Sequence, residues 1–273
     1  MAHKLRSPTC TDQPSWRHQR LGIVTAPTER VDSDRRVVPD VLRNLGLVSA
    51  VWIAYSLVRN ISAESQLRAI TNARSILDIQ ERIGLSLEAD LQALIDSTVV
   101  FRAANLYYLV HFPVTVAVLV LAFVIDRDTA YVRLRNSLIM VTSVAVIVHL
   151  TYPLAPPRML PGFIDTGLLY GPYPYSMPGS EAANQFAAMP SMHVAWALLV
   201  GLTIRSMANR RVVLTIAAGH VLLTVFTVLL TAHHFTVDVL AGLGLSVIAW
   251  AITRPCDAGN HVDAPDADDR LLI

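Results

Sequence analysis

The segment Val212–Ile252, VVLTIAAGHVLLTVFTVLLTAHHFTVDVLAGLGLSVIAWAI, is two apolar runs parted by a short polar break. A helix needs roughly 17–25 apolar residues to cross a bilayer, and Val212–Thr231 and Phe235–Ile252 each reach that length. Unpaired backbone amides are costly in lipid, so runs of this kind are helices. His233 and His234 lie in the break, and Asp238 follows within the first turns of the second run. Ionisable groups where helix ends meet a membrane surface are functional candidates.

Working outward, four more runs are expected to cross: Val41–Leu57, Ala103–Ile125, Ser137–Tyr152 and Ser191–Ile204. Of the 273 residues 53% are hydrophobic and 16% charged, where a soluble domain carries about 25% charged residues. The fold class expected is all-α: a polytopic membrane protein, a six-transmembrane helix bundle with interfacial amphipathic helices. A net charge of +1 gives no case for a nucleic-acid partner. Cys10 and Cys256 lie in opposite tails, with no zinc spacing and no expected disulfide. Lys4 is the only lysine, so no chemistry in the body of the chain rests on one.

Residues 1–40 and 254–273 are polar and are expected to be disordered cytoplasmic tails flanking one membrane domain, 41–253. The N-terminal tail has no apolar core that would make a signal peptide. Within 60–102, Leu67, Ile70, Ala73 and Leu77 recur at helical spacing, with Ser62 as a start and Gly84 as a stop. Ser86 then opens a second short helix carrying Leu87, Leu91 and Leu94. Both are expected to lie on the membrane or over the bundle. A long loop, 153–190, holds eight of the fifteen prolines. Arginines set the orientation. Arg127, Arg133, Arg135, Arg205, Arg210, Arg211 and Arg254 fall on one side, which is therefore expected to be cytoplasmic, while the proline-rich loop has only Arg158. The arginine-rich, lysine-poor composition points to a GC-rich bacterium and so to its cytoplasmic membrane.

That topology brings Arg158, Ser191, His193, His233, His234 and Asp238 to one level, the outer surface. His234 and Asp238 are four apart, so on a helix the carboxylate accepts from Nδ1–H and leaves Nε2 as a nucleophile. His193, in the first turn of its helix, is placed to give a proton to a leaving oxygen. Backbone N–H groups near Ser191 favour bound phosphate, and Arg158 can clamp its oxygens. These are the parts of metal-free phosphoryl transfer through a phosphohistidine, so no metal and no cofactor are expected.

At these residues the chain resembles the phosphatidic acid phosphatase type 2 superfamily, whose pattern is Lys-x6-Arg-Pro, Pro-Ser-Gly-His and Ser-Arg-x5-His-x3-Asp. Here Pro190-Ser191-Met192-His193 stands for the second part, and His234 with Asp238 closes the third. The stretches Tyr152–Arg158 and Asn184–His193, with the His233-His234 pair, look most like the branch of inositol phosphorylceramide synthase and its bacterial relatives. The resemblance covers roughly residues 40–253. It implies His234 as nucleophile, Asp238 as its orienter, His193 as general acid, and Arg158 and Ser191 as phosphate ligands. The family's lysine falls at Thr151, and its Ser-Arg pair at Thr227 and Val228, so two cationic ligands are absent. That suits a singly charged phosphodiester better than a monoester dianion.

Each residue also has a plainer reading. The His234–Asp238 pair ties two helices together, His193 is a hydrogen-bonded bundle residue, Arg158 snorkels to headgroups, or Ser191 is only an N-cap. His233 is either a phosphate ligand or a surface residue. His111, with Tyr107 a turn before it, His149 and His220 are expected to be structural, and His149, near the outer end of its span, is also a candidate to stand behind the site. Gly242 and Gly244 are expected to ease helix packing. The function expected is a lipid phosphotransferase moving an inositol phosphate-like headgroup from a membrane phospholipid to a lipid hydroxyl. The alternatives are a phosphatase that uses water as acceptor on phosphatidic acid or polyprenyl phosphate, and a non-catalytic transporter or scaffold.

Overall fold

The computed structural model describes residues 66–173 and 185–254, with the single helical position Gly46. The expected first span and both tails lie outside the described residues. Eight α-helices follow one another among those described: α1 Gln66–Arg82, α2 Leu87–Leu94, α3 Thr98–Ile125, α4 Val132–Thr151, α5 Thr166–Tyr170, α6 Met192–Met207, α7 Arg211–Leu230 and α8 Thr236–Ile252. There is no strand among them; Leu154 and Ala187 make one isolated parallel bridge. The fold is all-helical, as expected. The helices α3 and α7, and Arg127–Thr151, which is α4 with the turn before it, are long and apolar enough to cross a membrane. The apolar helices α6 and α8 are shorter.

Helix α6 lies at the centre, packed on α7, α8, α4 and α3. Its small residues Ala195 and Ala197 are fully buried, as are Val194, Leu199 and Val200. Lipid offers no hydrophobic drive between helices, so close approach by small residues supplies the packing. Gly242 of α8 is the tightest instance: a Cβ there would stand 2.5 Å from the Ser191 carbonyl oxygen. Gly244 has nothing within 4 Å, so the packing role expected of both glycines belongs to Gly242. Arg133 lies inside α4, where it donates to the Trp250 carbonyl at 2.7 Å and stacks on that indole. The third span therefore begins before the expected Ser137, because its arginine has a partner on α8.

Gly84, at φ +68°, ends α1 in the left-handed region that favours glycine. The pair α1 and α2 caps the end of the bundle where α4 and α7 finish and α6 and α8 start. Ala69 and Ala73 of α1 pack against Leu154, Ala155 and Phe235. On α2 Leu91 packs against the core, Leu87 and Leu94 are exposed, and the polar Glu88 and Gln92 are buried, which the leucine spacing did not predict. The reason is a set of hydrogen bonds that the leucines could not make. Glu88 accepts from Thr236 Oγ1 at 2.7 Å and from Gln80, and Gln80 accepts from the Val237 N–H at 2.8 Å. Gln92 donates to the carbonyls of Ile164 and Leu230.

Candidate active site

The chain leaves α7 through a sharp turn. Ala232, at φ +50°, adopts the left-handed backbone that non-glycine residues rarely take. The Val228 carbonyl receives both the His233 N–H at 3.1 Å and the His234 N–H at 3.3 Å. The turn thus fixes the two histidines in succession at the end of α7. Both are buried, which removes the surface reading of His233.

His234 precedes α8 rather than lying in it, so its pairing with Asp238 comes from the turn before the helix and not from a shared helix face. Asp238 sits in the first turn of α8, and its Oδ2 accepts from the Phe235 N–H at 2.8 Å. His234 Nδ1 is 3.7 Å from that same oxygen and 2.7 Å from the Ala188 carbonyl. The shorter contact is the hydrogen bond. A carbonyl only accepts, so Nδ1 carries the proton and Nε2 the lone pair. The Ala188 carbonyl takes the Nδ1 proton, and Asp238 stands within ion-pair reach of the same nitrogen. Ala188 is itself held: its N–H donates to Leu154, and the Leu154 N–H donates to Phe186. The two ends of the proline-rich loop are thereby joined beside His234.

His193 is in the first turn of α6. Its ring centroid is 5.9 Å from that of His234, 5.1 Å from that of His111 and 4.1 Å from that of Tyr108, on which it stacks. Ser191 is the N-cap of α6. Its Oγ accepts from the Val194 N–H at 3.5 Å, and its N–H donates to the Asp238 carbonyl at 3.0 Å. Arg158, on the short 3₁₀ turn Pro157–Met159, donates its backbone N–H to the Ala232 carbonyl at 2.9 Å. Its buried guanidinium pairs with Asp165 at 3.1 Å. Asp165 also caps α5, accepting from the Leu168 N–H.

His233 stacks on the same Tyr108 ring at 4.2 Å. Its Nδ1 lies 2.9 Å from Thr231 Oγ1, and that hydroxyl donates to the Thr227 carbonyl at 2.7 Å. Burial first, and then the neighbouring Arg158 and His234, hold the His233 ring well below the usual histidine pKa.

All six candidate residues therefore meet at one end of the bundle. The residues missing from the sequence reading are Tyr108, Asp165, Thr231 and the Ala188 carbonyl. Tyr108, one residue after Tyr107 in an apolar run, had the weak signal of a polar group inside a span; a backbone carbonyl has none. His149 is buried, and its Nε2 has no hydrogen-bond partner among the described residues. Tyr107 hydrogen-bonds His220 Nδ1 at 2.6 Å, and that ring stacks on His111 at 5.5 Å. Val228, at the position of the family's arginine, is buried against Val194, Leu229 and Val239. Thr151, at the position of its lysine, accepts through its carbonyl from Arg68 of α1 at 2.8 Å. Among the described residues no group of three or more His, Cys, Asp or Glu is arranged to hold a metal ion.

No curated protein and no solved structure matches the chain. A family model described as the PAP2 superfamily matches residues 74–252, from within α1 to the end of α8. By that match the chain belongs to the PAP2 superfamily, an enzyme superfamily of membrane phosphatases and phosphotransferases.

Proposed function

We propose that the enzyme transfers a phosphorylated headgroup, inositol phosphate-like, from a phospholipid to a lipid hydroxyl, through a phosphohistidine on His234 and without a metal ion. His234 Nε2 attacks phosphorus, and the bond from phosphorus to the glycerol oxygen breaks. His193 gives its proton to that oxygen. The acceptor hydroxyl then attacks phosphorus and gives its proton to His193, now neutral and acting as base, while the P–N bond breaks and its electron pair returns to His234. Arg158 and the N–H groups opening α6 beside Ser191 hold the non-bridging oxygens. Asp238, fully buried beside His234, offsets the positive charge of the phosphorylated ring.

One observation carries transfer over hydrolysis of a monoester. The position of the family's arginine is a valine sealed in the apolar core, and no cation can be recruited there without unpacking it. A site short of cations favours the single charge of a phosphodiester over a dianion. The arginines at the far end, including Arg205, Arg211 and Arg254, support a six-span bundle with cytoplasmic termini and the site on the outer face.

The test is made on purified protein in detergent, with His234→Ala as control. A labelled phosphodiester lipid and a lipid phosphate are each offered with and without a lipid alcohol. The expected outcome is a new phosphodiester lipid that His234→Ala fails to make, with activity retained in EDTA. Release of free phosphate from the monoester alone would make the enzyme a phosphatase.

A further inference from the structure

We infer that Tyr108 is a positioning residue for the general acid: the face of its ring holds the His193 imidazole in place through both charge states of the reaction. The inference rests on the proposed phosphohistidine transfer. It starts from a contrast among three histidines. His234 Nδ1 is held by the Ala188 carbonyl at 2.7 Å, and His233 Nδ1 by the Thr231 hydroxyl at 2.9 Å. The His193 ring forms no hydrogen bond among the described residues, and its neighbours there are other rings. Those of His111 and His234 stand at 5.1 and 5.9 Å and are tilted by 54° and 58°. Of the three, only Tyr108 lies face to face with it, at 4.1 Å and 26°. The acid is therefore aimed by a stacked ring, where the other two histidines are aimed by an acceptor or a hydroxyl.

The platform is itself fixed from three sides. Tyr108 belongs to α3, but it packs against the cluster of Val194, Val228, Leu229 and Val239, which α6, α7 and α8 supply. Val194 follows His193, the Val228 carbonyl receives the N–H groups of His233 and His234, and Val239 follows Asp238. The ring thus rests on the elements that carry the site. His233 stacks on it as well, at 4.2 Å and 29°. Two rings stacked this closely cannot share one face, so Tyr108 stands between His193 and His233.

Such a platform suits a group that changes charge. His193 is protonated before it serves the leaving oxygen and neutral before it receives the acceptor's proton. A π face attracts an imidazolium as a cation and a neutral imidazole by stacking, so the ring keeps its place through the change. The effect of Tyr108 runs through His193, and its loss should be felt only where the acid is needed.

The test varies how much the leaving oxygen needs a proton. Phosphatidylinositol expels a glycerol oxygen, which must be protonated as its bond to phosphorus breaks. The donor para-nitrophenyl inositol phosphate expels nitrophenolate, which leaves as the anion. Both are radiolabelled in the inositol and given to the enzyme without acceptor, and label on His234 is timed. Tyr108→Leu and Tyr108→Met keep apolar bulk without a ring, and Tyr108→Phe keeps the face. In the two ringless variants labelling from phosphatidylinositol should fall about ten-fold or more, with about 10²–10⁴-fold, the usual worth of a general acid, as the ceiling. Labelling from the nitrophenyl donor should stay at the wild-type rate, and Tyr108→Phe should match wild type with both. An equal fall with both donors would overturn the inference and make Tyr108 a packing residue. So would undiminished labelling from phosphatidylinositol, or a Tyr108→Phe enzyme as slow as the ringless ones. A wild-type enzyme that takes no label from either donor would overturn the phosphohistidine reading itself, and this inference with it.

Discussion

Arg158 is aimed by a residue that no motif contains. Asp165 holds one arm of the guanidinium at 3.1 Å while its other oxygen caps α5. Asp165→Asn keeps an acceptor for the cap and removes the ion pair. A hydrogen bond to a charged group is worth about 1.5–3 kcal/mol, so transfer should fall about ten-fold or more with the fold intact, read as initial rates against donor concentration. Equal rates would mean that Arg158 is positioned by its backbone bond to Ala232 alone. The six candidate residues were legible because side chains at fixed spacing carry their chemistry in the letters. Asp165 was not, because it lies in a proline-rich loop without periodicity. His234 and Asp238 do meet, at 3.7 Å, but not by the helical spacing expected, because α8 begins after His234. The shorter contact of Nδ1 is with a backbone carbonyl at Ala188, which any residue would supply.

At the scale of elements, α6 and α8 are set by a single missing methyl group. Gly242→Ala would drive a Cβ to 2.5 Å from the Ser191 carbonyl oxygen, against backbone that has no rotamer to retreat into. Overpacking of this kind costs about 1–3 kcal/mol. It should also displace the first turn of α6, and His193 with it, with a loss of activity larger than the loss of stability explains. Gly244→Ala, with nothing within 4 Å, is the control and should be neutral in thermal unfolding and in turnover. Apolar length located the described apolar helices to within a few residues. It failed at the start of α4, where Arg133 is accommodated by Trp250. It says nothing of the burial of Glu88 and Gln92 on α2, which depends on donors and acceptors far away in the chain. Periodicity reports which residues are apolar, and it is blind to a polar residue whose partners come from another helix.

For the whole molecule the proposed orientation makes a direct prediction. Leu168 is exposed in the loop near Arg158, and Asp128 is exposed at the opposite end, between α3 and α4. In a background with Cys10 and Cys256 replaced by serine, Leu168→Cys should react with an impermeant thiol reagent in intact cells. Asp128→Cys should react only after the cells are opened, and the reverse pattern would invert the topology. Thr166, nearby in the same loop, is unsuitable because it is buried against Asn105. The cap also has a consequence for the order of manufacture. Glu88 meets its partner Thr236 across 148 residues, and Gln80 meets Val237 across 157. A ribosome completes the cap well before the helix that satisfies it exists. Until α8 is inserted, α1 and α2 hold polar groups that only water can serve. The last of the described helices brings Asp238, follows directly on His233 and His234, and closes the cap in the same event, so no chain that stops short of α8 holds the assembled cluster.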